Sequence, residues 1–332
     1  RIHYNERGVK MDLIDVLKEQ VKAEKKSIVF PEGTDKRILG AAAKLKKENI
    51  LNPILVGKEE DVKKTAADNG IDVTDLEILD PATYPEMDEL VAKFVERRKG
   101  KIDEAGAKEK LTNDVNYFGT MLVFTDKVGG LVSGAIHSTG DTVRPALQIV
   151  KTKPEYNKVA GCFILRKGEE VYLFADGGVN LDPSAEDLAE TAIQTAETAK
   201  KFGIDPKVAM LSFSTMGSAS SDEVTKVQEA TKLAKEKAPD LDVDGELQFD
   251  AAFVPEVAAL KAPDSKVAGK ANVFIFPNLA AGNIGYKLVQ RLGGFAAIGP
   301  LLQGLNAPIN DLSRGCNEKD VYELAIVTAA TM

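Results

Sequence analysis

The sequence has no tryptophan, two cysteines and two histidines in 332 residues. Cys162 and Cys316 alone cannot build a disulfide framework, and such sparse use fits a reducing, cytoplasmic setting. With only His3 and His137, a histidine-rich zinc site is all but excluded, and no metal site is expected. No run approaches the roughly 18–20 uninterrupted apolar residues of a membrane helix. Neither a GxGxxG fingerprint nor a GxxxxGK[ST] loop is present, which weakens dinucleotide and P-loop readings. Basic excess is missing as well: 43 Lys+Arg stand against 51 Asp+Glu, a formal charge of -8. Such a surface disfavours nucleic acid, whose affinity comes from neutralised phosphates, and anionic membranes. Residues 1–10 are polar and contain no secretory signal. They read as an upstream extension or cloning remnant, with Met11 opening an amphipathic helix.

What is present is an ordinary globular balance, 44% hydrophobic and 28% charged, on a length that suggests two domains. Short apolar runs alternate with helical patterns. Strands are expected at Ser27–Phe30, Pro53–Val56 and Leu76–Leu79, with helices near 35–49 and 58–69. The rhythm returns with strands near 160–166 and 170–175, which look like an antiparallel hairpin around Lys167-Gly168. A helix near 185–202, a strand at 208–213, a helix near 222–238 and strands near 246–249 and 272–276 follow. Strands alternating with helices of this length imply βαβ units. The fold class is therefore α/β, with doubly wound blocks. The expected division is a first domain of residues 11–152 plus 303–332, containing a last helix near 318–330, and a second of 153–302.

Four segments cluster Gly, Ser, Thr and Arg where a strand would end. In Gly129–Ala146, a Ser/Thr/Gly loop with Ser138 and Thr139 precedes a helix with Arg144 in its first turn. Small residues let backbone N–H groups approach an anion, and Arg144 could grip phosphate oxygens. The alternative is Asp141 or Thr142 as a plain helix cap and a solvated Arg144. In Phe213–Ser221, the hydroxyls of Ser214 and Thr215 suit a phosphate or polar head, unless the segment serves only to cap a helix through Ser221. Glu96–Lys101 is a basic run: a solvated helix end, or a docking patch for a polyphosphate ligand. Gly299–Asp320 is long, has few helix formers and joins the two blocks. Within it, Asn317 and Asp320 have the spacing of a capping box.

That fourth segment, Gly-Pro-Leu-Leu-Gln-Gly followed by Pro-Ile-Asn-Asp-Leu-Ser-Arg-Gly-Cys and ending on Asp320, resembles the C-terminal signature of the phosphate acetyltransferases, or phosphotransacetylases. The likeness runs in order from Met11 through Phe30-Pro-Glu-Gly33, Gly140–Gln148, Phe174-Ala-Asp176 with Val179-Asn180, Ser212-Phe-Ser214 and Gly282–Lys287. It is to the short, single-unit form. The resemblance implies two α/β domains flanking a cleft, as in isocitrate and isopropylmalate dehydrogenases, and subunits paired as homodimers. It implies interconversion of acetyl phosphate plus coenzyme A with acetyl-CoA plus phosphate, with coenzyme A as a substrate and no resident cofactor. It further implies that Asp320 removes the thiol proton and that Ser313 and Arg314 orient the thiol and stabilise charge. Arg98, with Arg97 beside it, and Arg144 would bind the substrates. It assigns no duty to His137, which stays a loop residue.

Chemistry agrees with these roles. A thiol is a poor nucleophile until ionised, and a neighbouring carboxylate can take its proton. Acetyl phosphate is already activated, so the demand is to gather two anions and stabilise an oxyanion. A phosphate butyryltransferase is the nearest alternative, since acyl length depends on pocket volume. A metal- and NAD-dependent 2-hydroxyacid dehydrogenase of the same fold, or a non-catalytic acyl-phosphate sensor, are alternatives of other classes. A direct attack by coenzyme A is expected, with Cys316 dispensable and Cys162 an inert core residue.

Overall fold

The computed structural model describes residues 12–332. The expected extension at residues 1–10, and His3 within it, lie outside them. The chain divides into two compact units, Ile14–Lys153 with Leu305–Met332, and Pro154–Gly304 with Asp12 and Leu13. Asp12 belongs there through the ion pair of its carboxylate with Arg166, at 2.7 Å.

The first unit opens with α1 (Leu13–Glu24), β1 (Ser27–Phe30), α2 (Lys36–Lys47), β2 (Asn52–Val56), α3 (Glu59–Asp68) and β3 (Glu77–Leu79). Helices α4 (Met87–Arg98), α5 (Glu104–Asn113) and α6 (Val115–Phe124) lead to β4 (Gly130–Ser133) and the short α7 (Thr139–Pro145). Apolar spacing explains the packing: α1 buries Ile14, Leu17 and Val21 on one stripe. In β1, Ile28, Val29 and Phe30 are all fully buried, as a strand covered on both faces requires. The helix expected through Val150 stops at Pro145 and continues as one π turn, Ala146–Val150. Arg97 braces that turn, donating from Nε to the Ile149 carbonyl (2.6 Å) and from Nη2 to that of Val150 (3.2 Å).

The second unit contains β5 (Ala160–Lys167), β6 (Glu170–Ala175), α8 (Ala185–Lys201), β7 (Val208–Leu211), α9 (Asp222–Lys237), β8 (Val243–Leu247), α10 (Phe249–Phe253), α11 (Pro255–Lys261), β9 (Val273–Ile275), α12 (Leu279–Arg291) and β10 (Ala296–Gln303). Its sheet has the order β10-β5-β6-β9-β7-β8. Strands β5 and β6 form the expected antiparallel hairpin, and the β6 to β8 side is parallel. The doubly wound expectation therefore meets a mixed sheet here. Two strand boundaries also differ. The strand expected near 246–249 lies at 243–247, with Phe249 starting α10. Gly299 and Pro300, read as punctuation, lie inside β10; it is an edge strand with a register shift between Ile298 and Leu301, where proline is tolerated.

The chain then returns to the first unit as β11 (Ile309–Asp311) and α13 (Glu318–Ala330). The completed sheet, β11-β4-β1-β2-β3, is parallel throughout. Beyond β1 the order runs outward through β2 and β3; beyond β4 it runs outward through β11. This divergence between β1 and β4 creates a topological switch point, the place where open parallel sheets bind ligands at their carboxyl ends.

Candidate active site at the switch point of the first unit

The residue that organises the switch point is Glu32, just past β1. Its side chain is fully buried. Oε2 accepts from the backbone N–H groups of Gly134 (3.1 Å) and Ala135 (2.8 Å), and Oε1 from those of Ile136 (2.9 Å) and His137 (3.0 Å). His137 Nδ1 lies 2.8 Å from the same Oε1. Burial alone would push this carboxyl up; the His137 ring and the backbone donors outweigh it and hold the carboxyl below its ordinary range. Gly134 is required where it stands, at φ +112°, because a Cβ would collide with Asp311 Oδ1 and stand 2.6 Å from the Leu312 carbonyl oxygen. The small-residue loop after β4 does gather N–H groups around an anion. That anion is the protein's own carboxylate.

The next residues start α7. Ser138 donates to Asp141 Oδ2 from both its N–H (3.1 Å) and its hydroxyl (2.7 Å), so the cap of α7 is Ser138 rather than Asp141 or Thr142, with Asp141 closing its capping box. Thr139 donates its hydroxyl to Asp311 Oδ2 at 2.7 Å. Arg144 is exposed, and its Nη2 lies 4.0 Å from where a Cβ on Gly140 would stand. The missing side chain lets the guanidinium fold back over the start of its own helix.

Strand β11 delivers the C-terminal signature to the same sheet edge. After Asp311, the Leu312 N–H bonds the Ser133 carbonyl (2.7 Å), and the chain turns at Ser313-Arg314-Gly315. Ser313 and Arg314 are exposed. Arg37 holds this turn in place. Its Nη1 donates to the carbonyls of Arg314 (2.9 Å) and Cys316 (3.0 Å), while Nη2 reaches the Ala135 carbonyl (2.8 Å) and Asp35 Oδ2 (2.8 Å). One guanidinium thus fastens the loop after β4 to the turn after β11. Cys316 is buried, and burial pushes its thiol up to about 11 against the pull of Arg37. At neutral pH it remains a thiol.

Asp320 stands at the third position of α13. Asn317 Oδ1 accepts from the Asp320 N–H (3.0 Å), and Asp320 Oδ2 accepts from the Asn317 N–H (2.9 Å). The capping box expected from spacing is formed, and it occupies one carboxylate oxygen. No described residue donates a hydrogen bond to Oδ1.

The adjacent arginines at the end of α4 divide their work. Arg97 braces the π turn and lies 4.9 Å from the Phe124 ring. Arg98, half-buried, makes no hydrogen bond or ion pair with any described residue. Burial raises the Tyr117 phenol, and Lys110, Arg144 and Arg98 all oppose it, so Arg98 and Arg144 act on one neighbourhood. Lys151 is lowered by Arg97 first and then by Lys99, Arg98 and Lys101 around it. Several positive charges thus lie close together on an acidic chain.

A family model described as phosphate acetyl/butaryl transferase matches residues 12–329. The chain belongs to this family. It is similar to the phosphate acetyltransferase of Bacillus subtilis, 59% identical over 319 residues that cover 96% of this chain and 98% of that protein. It is 58% identical to the phosphate acetyltransferase of Staphylococcus epidermidis, with the same coverage. Among solved structures, the EutD phosphotransacetylase from Staphylococcus aureus superposes with a TM-score of 0.92 at 56% identity, over 96% of this chain and 98% of that one. A 4-hydroxythreonine-4-phosphate dehydrogenase from Klebsiella pneumoniae, at 11% identity, TM-score 0.56 and coverage of 93% and 100%, shares the fold alone.

Two candidate residues of this family member carry internal hydrogen bonds. Ser214 and Thr215 lie in the second unit, buried, with hydroxyls committed to neighbours. Ser214 donates to Glu246 Oε1 (2.9 Å) and accepts from the Ala219 N–H (3.0 Å); Thr215 donates to Gln248 Oε1 (3.1 Å). They brace their loop, and Ser221 caps α9 through the Val224 N–H. Asp176 does likewise after β6, accepting from the N–H groups of Gly178, Val179 and Asn180. Motifs quoted from the phosphate acetyltransferase likeness at Glu32, Asp176 and Ser214 are therefore internal braces at strand ends. Sequence reasoning missed Glu32, Arg37 and Asp311 as site-builders, because their partners lie far along the chain.

Proposed function

We propose that this chain catalyses the reversible transfer of acetyl between acetyl phosphate and coenzyme A. The observation that carries the reading is the turn fastened by Arg37. It presents Ser313 and Arg314 to solvent, and the helix behind it carries an Asp320 oxygen that accepts no hydrogen bond from any described residue. Asp320 takes the proton of the coenzyme A thiol. The thiolate forms a bond to the acetyl carbon, and the tetrahedral oxyanion is stabilised by Ser313 and Arg314. The carbon–oxygen bond to phosphate then breaks, and Asp320 returns its proton to the departing phosphate. Arg98 and Arg144, whose guanidinium groups make no hydrogen bond with any described residue, bind the anionic substrates. The reaction draws on no resident cofactor.

The route is direct attack within a ternary complex. Cys316, the sole cysteine of the first unit, is a poor nucleophile as an un-ionised buried thiol. Labelled phosphate is expected not to exchange into acetyl phosphate without coenzyme A; exchange that disappears in Cys316→Ala would overturn the direct route. The activity itself is tested by thioester absorbance with acetyl phosphate and coenzyme A, with butyryl phosphate as comparator. Faster turnover of acetyl phosphate is expected, and preference for butyryl phosphate would reassign the acyl group.

The protein works in the cytoplasm as a homodimer in this reading. Two free cysteines suit a reducing compartment. Ile284, Leu288 and Leu292, at four-residue spacing along and just past α12, are 59%, 52% and 84% exposed, a row that fits a second copy. No helix among the described residues is long and apolar enough to cross a membrane.

A further inference from the structure

His137 has no part in the reading so far, yet it stands at the switch point. It directly precedes the Ser138–Thr139 start of α7 and follows the loop that Arg37 fastens to the Arg314 turn. Its ring is fixed from one side only. Nδ1 is engaged by Glu32 at 2.8 Å, Glu32 is itself immobilised by four backbone donors, and the His137 side chain remains 32% exposed. Nε2 makes no hydrogen bond with any described residue. A carboxylate that holds Nδ1–H fixes the tautomer and aims the other nitrogen, the usual way a histidine is oriented for a task.

We propose that Glu32 and His137 form a phosphate-recognition dyad, in which Glu32 positions the ring and His137 Nε2–H donates a hydrogen bond to the phosphoryl group of acetyl phosphate, or to inorganic phosphate in reverse. The proposal rests on the acetyl transfer reading for its substrate. The charged form is the one favoured. His137 is raised above its ordinary 6.5 by the hydrogen bond its ring donates to Glu32, against desolvation, and further by Asp141 and Asp114. The acidic groups acting on the ring are Glu32 beyond β1, Asp141 on α7 and Asp114 at the start of α6. All three are acidic and all favour the imidazolium. A dianionic phosphoryl group would find a donor that is charged, oriented and partly desolvated. Arg144 folds back over the adjoining residues to supply a second cation.

The test compares the enzyme with His137→Gln and Glu32→Gln. In His137→Gln the neutral amide leaves the loop anchored on Glu32. KM for acetyl phosphate should rise on the order of tenfold, the worth of one charge-assisted bond. KM for coenzyme A should stay unchanged. In the unmodified enzyme, KM for acetyl phosphate should rise as pH climbs through the His137 value above 6.5, and His137→Gln should lose that rise. Glu32→Gln should move the same transition to lower pH, a change that mere loosening of the fold does not produce. An unchanged KM in His137→Gln, an equal rise for coenzyme A, or a retained pH transition would each overturn the dyad. Calorimetry with inorganic phosphate reads the dyad without turnover, with weaker binding to His137→Gln expected and equal binding contradicting it. Absence of acetyl transfer by the unmodified enzyme would instead count against the functional reading.

Discussion

The guanidinium of Arg37 donates to the main-chain carbonyl of Arg314 at 2.9 Å. The same group reaches the Cys316 and Ala135 carbonyls and Asp35. Lysine has charge but no planar fork, and one ammonium cannot satisfy these separated acceptors. Arg37→Lys should therefore release the Ser313–Cys316 turn. A displacement of about 1 Å at a reacting group can cost on the order of 10²-fold, so kcat is expected to fall roughly 10- to 100-fold. Initial rates with both substrates saturating check this; an unchanged kcat would show that the turn holds its own shape.

Arg97 and Arg98 are predicted to part under mutation. Arg97→Gln removes two bonds to the carbonyls of the π turn and should cost about 1–3 kcal/mol in urea unfolding. Arg98→Gln should change stability by less than about 0.5 kcal/mol, as surface substitutions do, and raise KM. Arg144→Gln should follow Arg98. Reversed behaviour of the neighbours would assign substrate binding to Arg97.

Asp311 supplies a pH prediction. It is 1% exposed, and burial pushes its carboxyl up to about 6 despite the hydroxyls of Thr139 and Thr142. Thr142 lies nearby without completing a hydrogen bond, and Asp311 Oδ1 has no hydrogen-bond partner among the described residues. The folded state therefore binds this proton more tightly than the unfolded state. Its contribution to stability is full below about 3.8 and is lost as pH rises through about 6. Asp311→Asn carries no charge to desolvate. It should be more stable than the unmodified protein at pH 8, by about 1–3 kcal/mol, with the gap closing toward pH 4. Denaturant midpoints at the two pH values measure this, and a pH-independent gap would contradict it.

The sequence displayed the strands and helices whose pattern is local. Ser27–Phe30, Glu170–Ala175 and Glu318–Ala330 lie where apolar spacing and caps put them. Strands β10 and β11 were hidden because Gly299, Pro300 and Pro308 resemble loop punctuation, and only pairing with β5 and β4 makes strands of their surroundings. The site divides the same way. Asp320 and Asn317 form a short-range motif, visible from spacing. Glu32 meets the His137 loop across 102–105 residues, and Arg37 meets Arg314 across 277, so no local pattern announces either. Ser214 and Thr215 read as unpartnered hydroxyls in the sequence, and only the fold supplies Glu246 and Gln248 as partners.

Asp320 bears the central claim, because it serves as a cap and is assigned the proton of the attacking thiol. The two duties separate in Asp320→Asn. Asparagine retains an oxygen for the Asn317 N–H and so keeps the cap, but it cannot take a proton from coenzyme A. The decisive measurement is kcat for acetyl phosphate and coenzyme A in Asp320→Asn, taken beside its melting temperature. The expected result is a loss of roughly 10²–10⁴ in kcat, the worth of a positioned general base, with melting unchanged. A near-normal kcat together with a lowered melting temperature would show that Asp320 is a cap and nothing more.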